Sequence, residues 1–184
     1  MNDVLQSTNE HEKTRDLALQ KLGRNIFNFG LVEQWLKYLV TVSDVTTVGL
    51  SLDSKTAKKT DKTRKMMLGQ LVSEILEKWH PDNLLSKHQI QDLFDVRMAH
   101  TFRIEMDFEG YEVVKKSLEE MVSDRNDLIH QFTKNFPLKT VENCREAVLH
   151  LDKQREKHFS IMQNLQEIVK THIGLVEDIK QSFE

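Results

Sequence analysis

Between about Glu12 and Val42, the apolar residues Ala18, Leu22, Ile26, Phe29, Val32, Leu36 and Val40 recur at three- and four-residue steps, which predicts a first helix with one buried face. Leu68, Leu71, Val72, Ile75 and Trp79 repeat the pattern. His80-Pro81-Asp82-Asn83 should stop that second helix, because proline disfavours helix in the residue before it. Leu84 to Phe94 has room for a short helix. Phe102, Ile104 and Met106 instead alternate strictly with Arg103, Glu105 and Asp107, the period of two expected of a strand. A strand or hairpin near residues 101–107 would have to pack on the helices, since a lone hairpin is marginally stable.

Glu109-Gly110 opens a third strong helix, with Val114, Leu118, Met121, Val122, Leu128, Ile129 and Phe132 in one stripe that continues to Pro137. Thr140 is placed to cap a last helix. Along it Val141, Cys144, Val148, Leu151, Met162, Leu165, Val169, Val176, Ile179 and Phe183 keep near-heptad spacing. Unbroken, it would be about 60 Å long, more than a compact bundle accommodates. It should therefore bend near Gly174, break near Arg155 and His158, which fall on its seam, or pair its end with another subunit. The pattern as a whole predicts an all-α fold: an up-and-down bundle of about four main helices with a long C-terminal helix and room for one short strand.

Composition agrees, since 6 Gly and 2 Pro in 184 residues leave little punctuation for an all-β chain. The length suits one hydrophobic core, so residues 1–184 are expected to form a single domain. Residues 43–63, rich in Ser, Thr, Asp and Lys, form the exception and are expected to be a flexible loop. Its Lys55, Lys58, Lys59 and Lys62 read first as a solvated surface and second as contacts for RNA phosphates. Lys+Arg 26 against Asp+Glu 29 gives a formal charge of -3, so global electrostatics point neither to nucleic acid nor to an anionic membrane. There is no DNA-binding motif. One cysteine, an N-terminus without an apolar signal core and no membrane-length apolar run lead to the expectation of a cytoplasmic protein.

The candidate chemistry is Arg125-Asn126-Asp127-Leu128-Ile129-His130 in the third helix. With ~100° between successive residues, Arg125 falls near the centre of the apolar stripe, where a guanidinium needs an anionic or carbonyl partner. Glu33 interrupts the apolar stripe of the first helix in the same manner, so a Glu33–Arg125 ion pair is expected. Asn126 and His130, four apart, share a face, whereas His130 is displaced from Arg125 by roughly 140°. Convergence of arginine and histidine is easier across a two-fold axis between two copies of the helix.

Arginine, a polar residue, three more residues and then histidine resembles the motif of the HEPN (higher eukaryotes and prokaryotes nucleotide-binding) family, here R-N-D-L-I-H. The wider context, E33-Q-W-L-K37 and D124-R-N-D-L-I-H-Q-F132 before a very long terminal helix, is similar to uncharacterised bacterial proteins of that kind. The resemblance implies a helical bundle that dimerises and, in active members, cleaves RNA without metal or other cofactor at the dimer interface. It also implies a setting as a toxin or phage-defence effector, with a protein antitoxin as a partner. His130 would be general acid or base, Arg125 would bind the phosphate, Asn126 would orient His130 or contact the sugar, and Glu33 and Asp127 would support them. Toxins of the family that are silenced by AMPylation carry a tyrosine two residues after the histidine; Phe132 stands there in this chain.

The alternative function is a non-catalytic helical module, binding protein or RNA, in which the hexad is a structural polar seam. The 8 histidines show no metal-ligand spacing, and His150 and His158 have no obvious carboxylate partner between them. Cys144 reads as a buried structural residue, Gly23, Gly30 and Gly69 as sites of close helix packing, and Trp35 and Trp79 as core or interface anchors.

Overall fold

The computed structural model describes residues 2–43, 47–48, 61–82, 99–100 and 104–182. Its elements are α1 (Asn2–Val42), β1 (Thr47–Val48), α2 (Leu68–Trp79), β2 (Ala99–His100), α3 (Phe108–His130), α4 (Phe132–Asn135) and α5 (Val141–Gln181). The fold is an all-α helical bundle. The strand anticipated near residues 101–107 is displaced: Ala99–His100 pairs antiparallel with Thr47–Val48, and residues 104–107 are irregular and lead into α3. The period of two in Ile104 and Met106 arises because both are partly buried against the helices while Glu105 is exposed. The short helix read at Leu84 to Phe94 lies outside the described residues.

Local chemistry fixes the helix ends. Asp107 caps α3 by accepting a hydrogen bond from Gly110 N at 2.7 Å. Thr140 caps α5 by accepting from Asn143 N at 3.2 Å. At the end of α2, His80 is extended before Pro81, at φ -60 and ψ 129, as the proline requires. Leu138 turns the chain toward α5 at φ 52, a conformation unfavourable for a side chain, and the His11 ring is hydrogen-bonded to its carbonyl at 3.1 Å.

Two long helices form the spine. Contacts Glu10 to Arg145, Lys21 to Asp152 and Tyr38 to His172 show α1 and α5 running parallel along their lengths. The 41-residue α5 neither breaks nor needs a second subunit for its length, because the equally long α1 accompanies it. Buried positions on α5 step as Cys144, Ala147, Leu151, Gln154, His158, Ile161, Leu165, Val169 and His172, and on α1 as Ala18, Asn25, Phe29, Val32, Leu36 and Leu39. These are heptad seams. Asn25 takes the inward place assigned to Ile26, which is 44% exposed.

α3 runs against this pair and α2 against α3, as Asp124–His158 and the ring contact His80–Tyr111 show. Leu71, Ile75, Leu118, Met121 and Leu151 close the core. Cys144 and Trp79 are buried and Trp35 is half-buried, as expected of core residues, whereas Gly23 and Gly30 face open space rather than a packed helix. Gly69 faces Val122 Cγ1, 3.5 Å from where its Cβ would stand, an ordinary packing distance that a side chain would also tolerate. Among the described residues, no helix is long and apolar enough to cross a membrane. Leu151→Ala at the centre of the seam should cost about 2–5 kcal/mol in urea unfolding with the slope unchanged.

Candidate functional site

α2 meets α3 at Val122 and runs from there toward Tyr111, so the last two turns of α3 extend beyond the start of α2. Those turns are the hexad. The helix ends on His130, with Gln131 as its C-cap, and Phe132 begins the separate turn of α4; the stripe does not run on to Pro137 as one helix. Leu128 and Phe132 point inward, which anchors the end of α3, while Asn126, Asp127, Ile129, His130 and Gln131 are exposed. Phe132, which stands where a tyrosine would be modified, packs against Phe136 with ring centroids 5.4 Å apart.

Arg125 is half-buried at the edge of the core stripe, and its guanidinium donates to Asn126 Oδ1 at 3.2 Å. The expected Glu33–Arg125 pair does not form. Glu33 accepts instead from Lys37 at 2.7 Å, one turn along its own helix. The correction has a simple cause: a partner four residues away is held in reach by the helix itself, whereas a partner on another helix must be brought there by packing. Among the described residues, none of Arg125, Asn126, Asp127 and His130 makes a side-chain bond to another element. Lys62 is exposed in a helical turn at residues 61–64; Lys55, Lys58 and Lys59 lie outside the described residues.

Immediately before the hexad the opposite holds. Asp124 is gripped by three donors from one face of α5: Gln154 Nε2 donates to its carbonyl at 3.2 Å, Lys157 Nζ to its carboxylate at 3.0 Å, and His158 Nε2 to the same carboxylate oxygen at 2.7 Å. Asn25 of α1 completes the layer, donating to Gln154 Oε1 at 2.9 Å and to Leu151 O at 2.8 Å. Beside it, Lys21 and Arg24 both bind Asp152, and these hydrogen bonds, Lys21 first, hold its carboxyl below the usual carboxylate range. His158, with a side chain 3% exposed, meets Phe29 edge-on at 5.8 Å.

A carboxylate can only accept, so the Nε2 of His158 carries the proton. Burial pushes His158 below the ordinary imidazole range; the Asp124 hydrogen bond opposes this without overcoming it. Burial would likewise depress Lys157, but its bonds to Asp124 and Glu120, the latter at 3.2 Å, outweigh burial and raise it. Lys157 therefore supplies the positive charge that Asp124 needs, and His158 serves as a neutral donor. The carboxylate partner of His158 thus comes from α3, a relation that a search along its own helix could not find. The signals available were Asp124 beside Arg125 and a histidine on a heptad seam.

Among the described residues, no three His, Cys, Asp or Glu side chains group as a metal site. Compared with family models, curated proteins and solved structures, the chain matches none, so geometry and residue chemistry are the grounds for a functional reading.

The His158 shift has a consequence for stability. Above about pH 6.5 the imidazole is neutral folded and unfolded, and no linkage acts. As the pH falls through that value, the unfolded chain takes up a proton that folded His158 resists, so the native state loses stability on the acid side. Tm should fall between about pH 7.5 and pH 5.5, and His158→Gln should fall less over the same interval. Equal slopes in the two proteins would contradict this assignment.

Proposed function

We propose that the chain is a metal-independent endoribonuclease of the HEPN type, acting as a homodimer with the hexads of two copies in one cleft. The observation that supports this most is the polarity left unused at the end of α3. A half-buried guanidinium, an exposed amide and an exposed imidazole lie on the last two turns of α3, with no side-chain bond to another element among the described residues. The competing reading, a structural polar seam, required Arg125 to be neutralised by Glu33, and Glu33 is engaged by Lys37.

RNA brings its own nucleophile, the 2′-hydroxyl. In the proposed step His130 of one copy takes the proton from that hydroxyl as its oxygen attacks phosphorus. The bond to the 5′-oxygen breaks, and His130 of the second copy protonates the leaving oxygen, giving a 2′,3′-cyclic phosphate and a 5′-hydroxyl end. Arg125 pairs with the non-bridging oxygens, where charge accumulates, and Asn126 orients the guanidinium or the sugar. Two copies are needed because one helix separates Arg125 from His130 by roughly 140°. A toxin or phage-defence role, with a protein antitoxin as partner, belongs to the same proposal.

The purified protein should cut single-stranded RNA in the presence of excess chelator. His130→Ala should lower the rate by about 10²–10⁴-fold while leaving Tm unchanged, since the ring is exposed. Cleavage that survives the substitution would rule out this mechanism.

A further inference from the structure

Among the described residues, the polar side chains of the hexad make no bond to another element, yet a reactive cluster must be held at a defined height and rotation. Leu128 and Phe132 hold it by apolar contact, which is non-directional and permits sliding and twisting. Among the described residues, the directional contacts nearest the hexad fall on Asp124, with Glu120 one turn earlier sharing Lys157. Gln154, Lys157 and His158, at i, i+3 and i+4 of α5, meet the Asp124 carbonyl and carboxylate from one side. Both outer members are themselves fixed from α1, Gln154 by the Asn25 amide and His158 by the Phe29 ring. Residues 124–130 span just under two turns of one continuous helix, so a rotation or shift at residue 124 is passed on to Arg125, Asn126 and His130.

We propose that Asp124 and His158 are positioning residues for the hexad, their carboxylate–imidazole contact setting the rotation of the last two turns of α3 against α5. This rests on the reading of Arg125, Asn126 and His130 as the reactive groups. Neither residue touches substrate in this scheme. Asp124 acts through the backbone that it shares with Arg125, and His158 acts through Asp124. The charged groups facing the pair are Lys157 and Glu120, which also bind each other. Because Lys157 remains to compensate Asp124 when the imidazole is removed, loss of His158 should release the hexad rather than expel the carboxylate.

The test uses the full chain and two readouts. Amide hydrogen exchange in His158→Leu should quicken by about 10-fold at residues 126–131 relative to the early turns of α3, and RNA cleavage should lose kcat with KM unchanged. His158→Gln, whose amide nitrogen reaches the same oxygen, should restore both. Asp124→Ala, which removes the acceptor at a partly exposed site, should reproduce the His158→Leu pattern and serves if the leucine variant does not fold. Unchanged protection at residues 126–131, an even loss of protection over all of α3, or no rescue by glutamine would overturn the proposal. A wild-type protein that leaves RNA intact would instead overturn the nuclease reading, and the exchange arm would still decide the positioning role.

Discussion

The bundle depends on one polar layer set across an apolar seam. Asn25, Gln154, Asp124 and His158 sit where three helices meet, on seams whose other buried positions are mostly Leu, Val, Ile, Phe and Ala, with a second polar contact, Tyr38–His172, nearer the far end of α1 and α5. Apolar layers alone could slide past one another in steps of a heptad with little loss of buried area. A buried amide that must find another amide cannot, because each unpaired group costs about 1–3 kcal/mol. The layer therefore specifies which turn of α1 faces which turn of α5, and where α3 docks on both. Lys21, Arg24 and Asp152 reinforce the same level from the rim, where partial exposure makes their ion pairs weaker.

From that register the form of the candidate site follows. α3 is held by its middle and by the inward Leu128, with Phe132 of α4 inward beyond it; α2 begins opposite Val122, and the turns of α3 beyond that point carry polar groups outward. The change falls between adjacent residues: Asp124 is bound by three groups, whereas Arg125, among the described residues, bonds to its neighbour Asn126 alone. A strongly tied carboxylate next to an untied guanidinium is the arrangement expected where a scaffold supports a cluster without consuming its hydrogen-bonding capacity.

The helices were legible in the sequence because their apolar period is local information. The first helix, the proline stop at His80-Pro81, the Thr140 cap and the buried Cys144 all follow from spacing and short-range chemistry. What escaped was whatever required knowing the neighbour. Ile26 fits the apolar stripe of the first helix, yet Asn25 takes the inward place, which Gln154 makes favourable for an amide. His158 looked like a reason for α5 to break, yet a carboxylate 34 positions away satisfies it. Glu33 looked available to Arg125, yet Lys37 was closer. Of the candidate site, residue types and the shared face of Asn126 and His130 could be read directly. The bonds of Asp124 to Gln154, Lys157 and His158 could not, since they arise from packing against α5, and neither could the end of the helix at His130.

The central claim is that two hexads come together in one cleft, and inter-subunit distance tests it most directly. Pulsed electron spin resonance on protein labelled through Gln131→Cys, beside His130 and exposed, with buried Cys144 replaced by alanine, reads that distance in the assembled protein. The account predicts a dimer with one short, narrowly distributed separation between labels, lost when Arg125, Asn126 and His130 are replaced together by bulky glutamates. A monomer, or a dimer whose labels lie too far apart to couple, would contradict it.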